Sequence, residues 1–311
     1  MKFHKSYTLK QIASIIDCKF IGDASFPVLG MNEIHVVSSG DIVFVDHPKY
    51  YDKALESAAT IILINKKVKC PDEKALLISD DPFRDFNKLT THFKPFLPAQ
   101  KSISKSVKIG KNTVVQPNCF IGNDVTIGNN CTIHSNVSIY DNTVIGDNVI
   151  IHANSVLGGS AFYYKNRPEG YDQLLSGGNV VIENNVDIGA SCTIDRGVSA
   201  STLIKEGTKI DNLVQIGHDT IIGKKCLIAS QVGIAGCVIV EDEVTIWGQV
   251  GITSGVTIGE KAIISAKSGV SKSLERDKRY FGIPADDFRS KYKEIAAIRK
   301  IPEILEKLKK L

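Results

Sequence analysis

Of the seven histidines in this 311-residue chain, His218 stands in the setting most suited to chemistry, DNLVQIGHDTIIG (211–223). Gly217 before it frees the backbone, Asp219 after it adds a carboxylate, and eighteen residues further on stands Gly236. If positions eighteen apart stack, the missing side chain at Gly236 leaves a groove beside the imidazole and bares a backbone N–H. A base next to such a donor can take a proton from a nucleophile while the N–H holds an oxyanion. A histidine at such a turn can also simply lie in water, and the residues alone leave both readings open. His134 and His152, likewise eighteen apart, are expected to stack on each other in a structural or solvated role. Two imidazoles without a third ligand make a poor metal site.

No phosphate-binding glycine loop, nucleophilic Ser or Cys elbow, or zinc signature accompanies His218. Any activity is therefore expected to be direct transfer assisted by a general base, with no metal. The seven cysteines are scattered without a CxxC pair, which suits a reducing cytoplasm and small packing residues better than a disulfide framework. The N-terminus lacks the apolar core of a signal peptide, and no stretch approaches the roughly 20 apolar residues of a membrane span. The net charge of +4 is mild, but Lys272 to Lys310 is conspicuously basic. No nucleic-acid motif or aromatic interleaving goes with that charge. It reads either as a solvated face or as a docking surface for an acidic protein.

The stacking of His218 on Gly236 depends on a repeat. From Val107 the chain divides into hexads whose third residue is aliphatic, from Ile109, Val115 and Ile121 through to Leu157. On a helix, residues six apart would be spread by roughly 240° and could not form one apolar stripe. Short strands joined by sharp turns can, and Gly, Asn and Asp after each aliphatic residue suit such turns. Three hexads make one triangular coil of 18 residues, each coil pairing in parallel with the next at about 4.8 Å. The period resumes at Ile182, Ile188 and Ile194, slips near Ala200, and runs unbroken from Ile204 to Val270. The expected framework is a parallel β-helix of twenty-four hexads in eight coils.

The first interruption, GGSAFYYKNRPEGYDQLLSGG (158–178), offers Phe162, Tyr163, Tyr164, Arg167 and Tyr171. Insertions in solenoids map to loops, so this one either covers a ligand or is a plain excursion. Trp247 at a corner suits a subunit interface. Residues 1–100 read as a small α/β domain: a helix capped by Thr8 through Ile16, strands at 19–21, 41–45, 60–64 and 75–78, and helices at 51–57 and 82–92. Residues 101–277 hold the β-helix, with Lys94 to Ser106 covering one open end. Residues 278–311 form a helical extension with Ile295, Ile298, Ile301, Ile304, Leu305, Leu308 and Leu311 at helical spacing, broken or kinked at Pro302.

Two joined runs, IGASCTIDRG (188–197) and IDNLVQIGHDTIIG (210–223), with an N-terminal domain of matching size, resemble the bacterial UDP-3-O-(3-hydroxyacyl)glucosamine N-acyltransferases of lipid A biosynthesis. The resemblance covers nearly the whole chain and implies the left-handed sense of the β-helix, which the usual crossover rule would not have chosen. It implies that His218 deprotonates the glucosamine C2 amine as it attacks a 3-hydroxyacyl thioester on acyl carrier protein, with Gly236 N–H holding the oxyanion. It further implies Asp211 and Asn212 in the active-site groove, and uracil held by Phe44 and Tyr50 of FVDHPKY. Phe162 and Tyr164 would border the acyl site, and no cofactor would be tightly bound beyond the phosphopantetheine arm of the donor. The implied assembly is a homotrimer with sites between its β-helices, its basic C-terminal helices docking the acidic carrier. Three positions depart from the family pattern: a second family histidine is Gly255 here, a glycine-rich GFG becomes Ala161-Phe162-Tyr163, and His47 replaces an asparagine. These departures leave open another UDP-linked amino sugar, a shorter acyl donor, or a nucleotide-sugar-binding paralogue without activity.

Overall fold

A computed structural model describes residues 1–309; Lys310 and Leu311, counted above in the basic and apolar faces of the C-terminal segment, lie outside the described residues. The N-terminal part is a six-stranded mixed sheet of β1 (Lys2–Thr8), β2 (Lys19–Ile21), β3 (Pro27–Met31), β4 (Asp41–Val45), β5 (Ile61–Ile64) and β6 (Ala75–Ile78) in the order β1-β3-β4-β5-β6-β2. Helices α1 (Leu9–Ile16), α2 (Tyr51–Glu56) and α3 (Pro82–Phe93) complete it. Thr8 does cap α1: its hydroxyl accepts from Gln11 N–H while the Gln11 side chain accepts from Thr8 N–H, satisfying two end donors together. β1 and β3 had no sequence signal, because KFHKSYT is polar and PVLGM carries a proline and a glycine.

Beyond Ser102 the chain winds into a left-handed parallel β-helix, as expected. Twenty-four two- to four-residue strands form three parallel sheets of eight coils, in registers such as Thr126↔Val144 and Gln215↔Gly233. The inward aliphatic residues are almost all fully buried. Each stabilises the prism by about 1.5–3 kcal/mol relative to an exposed side chain. Buried Cys119, Cys131, Cys192 and Cys226 stack in the same core.

Each corner places one residue in the left-handed region. In the first stretch that residue is Asn or Asp, from Asn112 to Asn154, as the turn chemistry predicts. In the second stretch Leu213, Lys225, Gln231 and Glu243 take the same conformation. There the expectation of turn-forming residues fails: the hydrogen bonding and packing of the coils impose the corner on ordinary residues.

The two breaks in the period are where the N-terminal part docks. The 158–178 insertion is a hairpin, Tyr164–Arg167 with Gly170–Gln173, tied to the N-terminal part by ion pairs Lys165 to Asp46 and Arg167 to Asp81. Asn87 adds hydrogen bonds to Gln173 O and Leu175 N–H. The slip near Ala200 is a four-residue excess whose Val198 is buried in the N-terminal core together with Ala161 and Leu174. At the first coil Ile103 pairs with Ile121, so the connecting segment does lie over that end. At the other end a strand at Arg279–Phe281 extends one sheet past the last full coil, pairing with Ile263–Ile264.

Helix α4 (Phe288–Leu308) runs through Pro302 instead of breaking there, and Asp287 caps its start. A proline inside a helix costs one hydrogen bond and a steric adjustment, and here helical backbone continues on both sides of it. None of its residues is buried within this chain: Ile298, Ile301, Ile304, Leu305 and Leu308 are all exposed. No described helix is long and apolar enough to cross a membrane.

Candidate active site

His218 is delivered by the strand Gln215–Ile216 and followed by Asp219, the left-handed corner residue (φ 55°). Asp219 is pinned on every side: its N–H donates to Thr202 Oγ1 at 2.9 Å, and its carboxylate accepts from Val198 N–H at 2.7 Å and Ala200 N–H at 3.3 Å. The same carboxylate lies 2.9 Å from His218 Nδ1. An ionised Asp219 therefore fixes the proton on Nδ1 and leaves the lone pair on Nε2.

Nε2 faces Gly236. A Cβ at Gly236 would stand 2.5 Å from Nε2, and one at Gly217 would stand 2.6 Å from Gly236 N. Both glycines are therefore needed to keep base and donor side by side. Among the described residues, no acceptor takes the Gly236 N–H. The stacking inferred from the 18-residue period is what the structure shows, and the same period brings the His134 and His152 rings to 4.8 Å, nearly parallel at 7°.

The N-terminal part and the hairpin roof this corner. Glu33, which follows β3, reaches it with its own N–H bonded to Ser199 Oγ at 3.0 Å, and the Tyr163 ring meets the imidazole edge-on at 5.8 Å. His218 is only 8% exposed, which removes the reading of a histidine idling in water. Burial disfavours its charged form, but the hydrogen bond and charge of Asp219, with the Asp195 carboxylate behind it, outweigh burial and raise its pKa above the ordinary value. Burial and the Asp219 charge push the Glu33 carboxyl up, so it is protonated at neutral pH. Burial pushes Asp195 up to about 6 and the Cys237 thiol up to about 12.

The groups facing His218 are thus Asp219, Glu33, Asp195, His35, Tyr163 and Cys237. A base works only when unprotonated, so the rate should climb with pH through the raised His218 pKa. Asp219→Asn combined with Glu33→Gln, which removes the carboxyl that would ionise in its place, should move the acid limb of kcat/KM to lower pH. It should also lower the plateau, since the tautomer is no longer fixed. A pH profile with an unmoved acid limb would contradict this account.

Phe44 and Tyr50 line one cleft of about 380 Å³ together with Glu33, His47, Lys53 and Tyr163, so it shares Glu33 and Tyr163 with the surroundings of His218. The two rings differ in their support: Phe44 packs against Phe86 at 4.8 Å, whereas Tyr50 is half exposed. Phe162 and Tyr164 meet edge-on at 5.2 Å and line a cavity of about 610 Å³ with Tyr163 and Tyr171. Asp211 and Asn212 are not gathered with His218 in the single chain. They occupy the preceding corner, one face of the prism away, where Asn212 Oδ1 accepts from Ala190 N–H at 2.7 Å. Gly255 stands open with nothing near its Cβ position.

Sequence reasoning missed Glu33, His35, Asp195 and Cys237. Cys237 could have been found, being eighteen residues beyond Asp219. Glu33 and His35 sit in MNEIHVV, which has no period linking it to the coils.

A family model described as UDP-3-O-(3-hydroxymyristoyl) glucosamine N-acyltransferase matches residues 25–92, and hexapeptide-transferase models match stretches between 106 and 268. The chain is 41% identical to the UDP-3-O-acylglucosamine N-acyltransferase of Campylobacter lari, over 89% of this chain and 92% of that protein. It is 39% identical to the enzyme of the same name from Thermosynechococcus vestitus, over 97% and 96%. Among solved structures, a Francisella novicida UDP-N-acetylglucosamine acyltransferase matches with a TM-score of 0.51 at 28% identity, over 59% of this chain and 65% of that one.

Proposed function

Because the chain belongs to the UDP-3-O-acylglucosamine N-acyltransferase family, we propose that it transfers a 3-hydroxyacyl group from acyl carrier protein to the C2 amine of UDP-3-O-(3-hydroxyacyl)glucosamine, a step of lipid A biosynthesis. The observation that carries this reading is the pairing of a buried, Asp219-oriented imidazole with the unengaged N–H of Gly236, whose neighbours Glu33 and Tyr163 also line the cleft holding Phe44 and Tyr50. The amine attacks the thioester carbonyl and gives its proton to His218 Nε2. The tetrahedral oxygen takes the Gly236 N–H. Collapse breaks the carbon–sulfur bond, and the phosphopantetheine thiolate leaves with the proton returned by His218. No acyl-enzyme is needed, and the chain holds no tightly bound cofactor in this scheme.

The uracil lies against Phe44 and Tyr50, with Lys53 available to the diphosphate. The acyl chain runs along Phe162 and Tyr164. Asp211 and Asn212 contribute from the neighbouring subunit of a homotrimer, since a single chain leaves them a prism face away. Exposed Leu213, Leu227, Ile239 and Trp247 on the outer faces suit that assembly. The basic face of α4 suits the acidic carrier, and the site works in the cytoplasm, where that donor is made.

Tyr163 favours a second reading, a shorter or differently shaped acyl donor, because its ring takes up space edge-on beside the imidazole at 5.8 Å. One experiment addresses both. The purified chain is incubated with UDP-3-O-acyl-glucosamine and 3-hydroxyacyl carrier proteins of graded length, and amide formation is followed by mass spectrometry. Amide with a long 3-hydroxyacyl donor is expected. Amide only with short donors would select the second reading, and no amide with any donor, despite a folded trimer, would overturn both.

A further inference from the structure

The geometry points to a site for a thiophilic divalent cation, Zn2+ in kind, formed by Glu33, His218, Asp219 and Cys237, whose occupation silences the base. One ligand atom from each of the four residues lies within 4.8 Å of all the others. They come from two layers: Glu33 from the N-terminal part, and Asp219 and Cys237 from equivalent left-handed corners of adjacent coils (φ 55° and 60°). Zinc bonds of roughly 2.0–2.3 Å set tetrahedral ligand atoms about 3.3–3.8 Å apart, so closing the group onto an ion takes a contraction of at most about 1.5 Å.

Two further features mark this as more than a chance meeting of acids. Glu33 is 9% exposed, and its Oε2 is one of only two buried side-chain polar atoms without a hydrogen-bond partner among the described residues. That buried oxygen stands beside an imidazole, a carboxylate and a thiol, and a cation arriving there would replace the proton that the Glu33 and Asp219 carboxyl groups otherwise share. The donor set is also selective. One sulfur, one nitrogen and two oxygens in a tight group suit Zn2+ or Co2+, whereas Mg2+ and Ca2+ ask for oxygen shells of six or more.

The consequence for activity rests on the function proposed above. A cation on Nε2 consumes the lone pair that accepts the amine proton. A cation on Nδ1 leaves neutral imidazole with its only proton on Nε2, which again is no base. Binding at either nitrogen therefore inhibits, with release of the Cys237 thiol proton and the Glu33 carboxyl proton.

Cobalt(II) tests the site without relying on the transfer reaction. Tag-free, chelator-treated full-length protein titrated with Co2+ should give intense visible bands of a four-coordinate ion and a sulfur-to-cobalt charge-transfer band, saturating at one equivalent and erased by Zn2+. Cys237→Ser should abolish the charge-transfer band, and Glu33→Gln should weaken Co2+ binding at least tenfold. In the transfer assay, micromolar Zn2+ should inhibit and a chelator should restore the rate, with Cys237→Ser needing at least tenfold more Zn2+. A charge-transfer band that persists in Cys237→Ser would place the ion on another cysteine and overturn the assignment. Weak spectra of six-coordinate cobalt in the unmutated protein would overturn it as well. An inactive protein that still gives the Cys237-dependent band would instead condemn the proposed reaction and leave the metal site standing.

Discussion

Replacing His218 with alanine is expected to lower amide formation by roughly 10²–10⁴-fold, the usual contribution of a positioned general base. The imidazole is the one group of the corner with a lone pair facing Gly236, since Asp219 is held on Nδ1 and by the Val198 N–H, Glu33 is protonated, and the Cys237 thiol is pushed up to about 12. The three heavy atoms nearest the Cβ position of Gly236 all belong to the His218 ring, so no other base stands against that N–H as Nε2 does. The fold should survive, because Asp219 keeps its Val198 and Ala200 donors and the inward face of the coil is untouched. His218→Asn is the sharper variant. Its amide can donate to Asp219 in place of Nδ1–H but carries no basic nitrogen, so it should be as slow as the alanine variant with less loss of melting temperature. A rate within tenfold of the parent in either variant would mean that the proton leaves by another route.

Gly236→Ala is expected to cost about 10²–10³-fold in kcat, the scale of removing an oxyanion donor. Its Cβ would stand 2.5 Å from Nε2, 2.7 Å from Cδ2 and 2.8 Å from Cε1 of His218, so the imidazole has to swing out of the groove. One methyl group thus displaces the base and covers the N–H at once. Gly233→Ala is the matched control, three residues earlier on the same coil, where a Cβ would meet nothing within 4 Å and the rate should hardly change. Because both residues serve one transition state, the double variant with His218→Ala should be little worse than the slower single variant. Additive losses would show that Gly236 acts independently of the base.

The legibility of this protein follows its periodicity. Helix α1 was readable from Thr8 and Gln11 because a capping box is local, and so were β4, β5 and β6, whose aliphatic runs are short and buried. β1 and β3 were not, since their pairing to each other, Lys2 opposite Gly30 and Tyr7 opposite Val28, is a long-range choice that neither segment announces. At Pro302, of the two expected outcomes, a break or a kink, the break does not occur, because the helix continues on both sides of the proline. The hairpin at 158–178 was visible as an interruption, but its ion pairs to Asp46 and Asp81 depend on where another part of the chain comes to rest.

By itself the sequence determined the prism and, through it, the meeting of His218 with Gly236. An 18-residue coil converts separation along the chain directly into stacking in space, so two residues eighteen apart must touch. Only the tertiary structure decided what kind of histidine this is. Glu33 and Tyr163 reach it from a sheet and a hairpin with no fixed register to the coils, and they dock where the six-residue period fails. Their arrival buries the imidazole, adds a carboxyl group to the Asp219 carboxylate and Cys237 thiol already beside it, and sets a cleft that they also line next to it. Burial and electrostatics are sums over neighbours from every part of the chain, and a repeat specifies only the neighbours within itself.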